Sequence, residues 1–286
     1  MILVSTIHTK RIFNFDSEIN EISLDNNLKI IKAEVSEEDK SVMSGDINFN
    51  MWPNFVIQKT YDLKYKTPEY AIINTDYIIN TLKDFTRALT ALRLIRNSAI
   101  FFDHQTVSET LVDGKQKLNP SIITNLGYTR FTGEALIIKK NEITELVITY
   151  KNIKNCREDK FFIALSRLNF GMEKILLRDK LIDYITGLEA LYTESSGELR
   201  FRLSIFIATI FGNTLEEKED IYNFIKNIYD ARCEIIHGNK KKKSLREEDL
   251  NRIENYLRVS LKSYLENSEN FKLKNLLKLV FKQKYF

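Results

Sequence analysis

The spacing of apolar residues changes character about halfway along the chain. In the first half, KIIKAEV (Lys29 to Val35), FVIQKTYDLKY (Phe55 to Tyr65), AIFF (Ala99 to Phe102) and ALIIKKNEITELVITY (Ala135 to Tyr150) are rich in β-branched and aromatic residues. Several of them alternate with polar neighbours, the period of two that puts one strand face into a core. Between these runs one helix is predicted. Asp76 can cap it, and Ile78, Leu82, Phe85, Leu89 and Leu92 recur every three or four residues to about Arg96. Residues 1–153 therefore read as an α+β domain.

From Arg157 the period becomes helical and stays so. Phe161, Phe162, Leu165, Leu168, Met172 and Ile175 mark one helix. Leu181, Ile185, Leu188 and Tyr192 mark the next, and Phe201, Ile205, Ala208 and Phe211 a third that stops at Gly212. Thr214 and Glu217 form a Thr-x-x-Glu capping pair, and Gly238 supplies a stop, so a helix is predicted from about Leu215 to His237. Ser244 and Glu247 repeat the pair ahead of a helix to about Glu266, and a basic helix is expected over Phe271 to Lys284. Residues 157–286 read as an all-helical bundle, with Lys151 to Asp159 as the seam.

The long helix carries an anomaly. With Ile221 at zero and 100° per residue, Phe224, Ile225, Ile228 and Ile235 fall within about 60° of it, and Arg232 falls at roughly 20°. A cation in the middle of an apolar stripe is costly unless a partner or ligand compensates it. Glu189, semi-buried on its own helix, is a candidate partner that would fix helix register. His237 lies about 140° around the helix from Arg232, so one straight helix does not hold both side chains over one point. Three arrangements remain open: the last turn unwinds, the arginine curls round, or two copies of the helix meet across a dimer axis. A histidine at a helix C-terminus is also favoured by the helix dipole alone.

Composition narrows the setting. A 286-residue chain with 43% hydrophobic and 29% charged residues has material for one large domain or two ordinary ones. The longest uncharged run, Leu203 to Leu215, is shorter than the roughly 20 apolar residues that cross a bilayer. The first residues lack the pattern of a secretion signal, and the expected location is the cytoplasm, without stable membrane insertion. Cys156 and Cys233 fit no metal or redox spacing, and neither metal nor cofactor is expected. Met1 to Cys156 holds 19 Lys+Arg and 19 Asp+Glu, whereas Arg157 to Phe286 holds 24 and 20, so the whole net charge of +4 lies in the second half. A polyanionic partner is best sought there.

Three segments in order, GLEALY, GELRFRLSIFIATIFG and IYDARCEIIHGNK, with DKLIDYI leading into the first, resemble the Apea-like branch of the HEPN domains over about residues 157–266. The resemblance implies a helical bundle that dimerises and an Arg-x4-His motif, with Arg232 as the motif arginine and His237 as the motif histidine. Many members are metal-independent ribonucleases whose two Arg–His pairs meet at the dimer interface; others bind without cutting. This sequence departs from the pattern at Cys233, where the branch often carries serine, and a thiol is a poor donor.

The expected function is thus an endoribonuclease of antiviral-defence or toxin type. Arg232 and His237 would be catalytic, Glu189 and Cys233 supporting, and Lys240, Lys241, Lys242 and Lys243 would hold RNA phosphates. The first domain would be a sensor or specificity module, and a protein activator or inhibitor is a further expected partner. The alternative is a non-catalytic RNA- or protein-binding dimerisation module. The basic segment Phe271 to Phe286, with five lysines and no acids, could lie on anionic lipid, but the expectation is that it packs on the bundle or a dimer partner.

Overall fold

The computed structural model describes residues 2–33, 54–65, 75–102, 105–112, 115–124, 134–193, 197–238 and 245–281. The chain divides into two compact units, Met1–Asn155 and Cys156–Phe286. The first is built on an antiparallel sheet and the second on helices, as the periodicities predict at that level.

In the first unit, strands β1 (Ile2–Phe13), β2 (Phe15–Ser17), β3 (Glu21–Asp25), β4 (Leu28–Lys32) and β5 (Phe55–Tyr65) precede helix α1 (Thr75–Ile95). Strands β6 (Phe101–Phe102), β7 (Gln105–Val112), β8 (Lys115–Thr124) and β9 (Leu136–Ile138) follow, then helix α2 (Ile143–Asn155). The main sheet runs β3-β4-β5-β1-β7-β8, with β6 also on β1, and β2 pairs with β9 in parallel. Its buried face presents Ile12, Ile30, Phe55 and Ile57, while α1 buries Phe85, Ala88 and Leu92, and α2 buries Leu146, Tyr150 and Ile153. Each such apolar side chain contributes about 1.5–3 kcal/mol when taken fully from water.

That interior also holds charge. His8 stands opposite Lys59 in the β1–β5 register. Lys59 is ion-paired with Asp84 of α1, which takes a second bond from Arg87 at 2.8 Å. Burial works against the Lys59 charge, but bonds with Asp84 and the Tyr61 phenol more than offset it, and its pKa is raised. Burial first, and the neighbouring Lys59 charge second, push His8 down to about 4.

Three readings of this unit need correction. The run from Ala135 to Tyr150 is not a strand throughout. Only Leu136–Ile138 is extended; a short 3-10 turn and α2 take the rest. The reason is that Leu146, Tyr150 and Ile153 recur at four and three residues, a helical stripe that the β-branched composition disguises. The predicted strand AIFF shrinks to Phe101–Phe102. Helix α1 starts at Thr75, so Asp76 lies inside it rather than capping it.

The second unit contains α3 (Asp159–Glu173), α4 (Leu177–Tyr192), α5 (Leu199–Phe211), α6 (Leu215–Ile236), α7 (Glu247–Glu266), a 3-10 turn (Ser268–Phe271) and α8 (Leu273–Phe281). Helix α4 is central: α3, α5, α6 and α7 all pack on it. It approaches α7 closely at Gly187, where an added Cβ would stand 2.7 Å from Leu257 Cδ2. The Tyr192 hydroxyl meets Ser260 of α7 at 2.6 Å. Ile175, expected on the first helix, lies beyond its end and is exposed, as is Phe201. Ser244 lies outside the described residues; the N-cap of α7 is Arg246, whose backbone N–H donates to the Asp249 carboxylate at 3.3 Å.

Candidate active site

The ends of α6 are set by local chemistry. The Thr214 hydroxyl accepts from the Glu217 N–H at 3.2 Å, and Glu217 reaches back to the Asn213 and Thr214 N–H groups at 2.7 and 3.4 Å. Those backbone donors hold its carboxyl below the usual carboxylate range. The helix is regular through Ile236. His237 is the C-cap, its N–H donating to the Cys233 carbonyl at 3.0 Å, and Gly238 turns the chain out at φ +68°. Among the described residues nothing lies within 4 Å of where a Gly238 Cβ would be, and the positive φ is what calls for glycine there.

One and a half turns earlier, Arg232 meets Glu189. Its Nη2 stands 3.4 Å from Glu189 Oε2, while the Tyr229 hydroxyl donates to Oε1 at 2.9 Å. The guanidinium also lies over the Tyr229 ring, 5.8 Å from its centroid. Glu189 is thus held at both oxygens by two residues three apart on α6. The Arg232 side chain is 21% exposed and that of Glu189 14%, so the pair sits at the lip of the bundle rather than within it. Among the described residues, Arg232 Nε is buried without a hydrogen-bond partner. Burial, and then the bond to the Glu189 carboxylate, raise the Tyr229 phenol well above its ordinary pKa. It stays protonated and keeps donating.

The candidate residues are therefore only partly assembled. Arg232 and Glu189 come together as expected of a register-fixing pair. His237 is exposed, and no bond from its ring, and no contact with Arg232, is found among the described residues. Because α6 stays helical through Ile236, the last turn does not unwind. Cys233 is a half-buried free thiol outside the Arg232–Glu189–Tyr229 bonds. Lys240, Lys241, Lys242 and Lys243 lie outside the described residues, as does His104, and His8 is buried in the other unit. Among the described residues there is no group of three side chains able to hold a metal ion, and no helix long and apolar enough to cross a membrane.

Sequence reasoning missed Tyr229. Three residues before Arg232, it falls about 60° away on the wheel, toward the same neighbour, and that spacing was the signal available. A second missed feature is an open groove of about 420 Å³ between α6 and the start of α7, lined by Asp220, Asn223, Phe224, Asn227, Arg246 and Arg252 among others. Its arginines are already engaged: Arg252 with Asp220 at 2.6 Å and Arg246 with Asp249 at 2.9 Å.

Compared with known proteins, the chain matches no family model, no curated protein and no solved structure.

Proposed function

We propose that the helical unit is a metal-independent endoribonuclease of the HEPN type, working as a homodimer. The observation that carries this reading is the state of Arg232. Its guanidinium is oriented by Glu189 and Tyr229, yet remains partly exposed at the bundle surface, with donors that Glu189 does not occupy. An arginine held this way is pre-organised for a phosphate at little further cost in side-chain order.

In that reaction His237 removes the proton from a ribose 2′-hydroxyl, and the oxygen attacks the adjacent phosphorus. The bond to the 5′-oxygen breaks, and an imidazolium returns a proton to it. Arg232 stabilises the charge on the phosphoryl oxygens of the transition state. The products are a 2′,3′-cyclic phosphate and a 5′-hydroxyl. Since one helix points Arg232 and His237 in different directions, the histidine and arginine that serve one phosphate come from two copies. Lys240 to Lys243 hold the flanking backbone, giving salt-sensitive affinity without sequence preference. The first unit gates or directs cutting in a cytoplasmic defence or toxin setting, where a protein activator or inhibitor also acts.

Cleavage of mixed RNA in EDTA tests this: His237→Ala and Arg232→Ala should each abolish it, and cutting by His237→Ala at the wild-type rate refutes the assignment. A second reading is favoured by the engagement of both Glu189 carboxylate oxygens, one by Arg232 and one by Tyr229, and by the thiol at Cys233. In it the same residues fix the α4–α6 register of a non-catalytic RNA- or protein-binding module.

A further inference from the structure

Helix α8 packs on α5 and on the 3-10 turn before it, and only Leu276 of its side chains is buried. Leu273 and Val280 are half-buried, and Leu277, Leu279 and Phe281 are left open. With Leu276 at zero, Val280 falls near 40°, Leu277 near 100° and Phe281 near 140°, a continuous apolar arc. Leu277 is 39% and Phe281 78% exposed. Immediately beyond them, near 160° and 200°, stand Lys274 and Lys278. Both lysines are exposed and make no ion pair among the described residues, and Leu273–Phe281 contains no acidic residue.

We propose that this outer edge of α8 lies flat on an anionic lipid surface. Leu277 and Phe281 enter the boundary between headgroups and acyl chains, and Lys274 and Lys278 lie over lipid phosphates. At nine residues the helix cannot span a bilayer, so the contact is interfacial. Charge decides against a second copy on this edge, because a two-fold contact would set Lys274 and Lys278 against their own images. Shape decides against RNA. Lysines suit its phosphates, and a phenylalanine can stack on a base, but Leu277 would stay in water. A bilayer surface takes both kinds of side chain at once. Each lysine near an anionic surface is worth about fivefold in affinity, so binding is weak and falls with salt. The proposal stands apart from the ribonuclease reading and does not need it.

The test is sedimentation of the full chain with vesicles of phosphatidylcholine alone and of an equal mixture with phosphatidylserine. Deletion of the helix is a poor probe, since it would also remove the buried Leu276. Lys274→Glu with Lys278→Glu, and separately Phe281→Ser, change exposed atoms only. The wild type should sediment with the mixed vesicles, not with phosphatidylcholine, and less as salt rises. The double lysine variant should lose at least about tenfold, and Phe281→Ser should also lose binding. Absence of wild-type sedimentation, or equal sedimentation by all three proteins, overturns the proposal. So does a wild type that binds RNA but not vesicles, with Phe281→Ser unchanged, which would make the lysine edge a nucleic-acid contact.

Discussion

At the residue scale, Arg232 and His237 differ in what their loss should do to the folded state. Arg232 is half-buried and holds one oxygen of Glu189. Its removal leaves a largely desolvated carboxylate bonded only to Tyr229, which should cost about 1–2 kcal/mol after allowance for solvent at the lip. His237 is exposed and caps with its backbone, so His237→Ala should stay within about 0.5 kcal/mol of wild type. Urea unfolding of both variants checks this, and a His237→Ala protein as weak as Arg232→Ala would mean the histidine is structural. Tyr229→Phe should cost about 1 kcal/mol. In a double-mutant cycle it should couple to Glu189→Gln, while additive losses would mean the observed bond carries no energy.

At the element scale, α6 is where sequence and structure agree most closely. Its Thr214–Glu217 cap, its Gly238 stop and its length were readable because each rests on chemistry within one turn. Thr214→Ala should lower stability by about 1 kcal/mol, as should Gly238→Ala through its left-handed backbone. Equal stability of Gly238→Ala and wild type would contradict that account. The partnership of Arg232 with Glu189 was legible too, because a cation on an apolar stripe demands a carboxylate and GLEALY offered one. Much of the sheet was not. Strand β1, its centre, draws its partners from β5 and β7 far along the chain, and its buried face carries His8 and Lys10 where a pattern search expects apolar residues. His8 is tolerated there as the neutral imidazole, and Lys59 opposite it because α1 brings Asp84, itself bonded by Arg87, to pair with it, a long-range fact no local window contains.

The same β1–β5 pair predicts an acid response. His8 titrates near 6.5 when unfolded and about 4 when folded, so the unfolded chain binds more protons between those values. The stability due to a neutral His8 is therefore full above about pH 6.5, declines as pH falls, and is gone below about 4, a loss of about 3 kcal/mol. His8→Gln should flatten that part of the stability profile; an unchanged profile would show that His8 does not titrate as described.

At the scale of the whole molecule, the excess positive charge, the Arg232–Glu189–Tyr229 lip and the basic α8 edge all belong to the helical unit, while the sheet unit is neutral by count. That division puts the excess charge on the same unit as Arg232, the unit to which the proposed ribonuclease reading assigns the chemistry. The most direct test is wild type beside His237→Ala, incubated with mixed RNA in EDTA, with the product ends identified. Cutting by the wild type alone, leaving 2′,3′-cyclic phosphates, is the predicted result. Cutting by both, or cutting that EDTA abolishes, would contradict it and leave Arg232, Glu189 and Tyr229 as the register lock of a binding module.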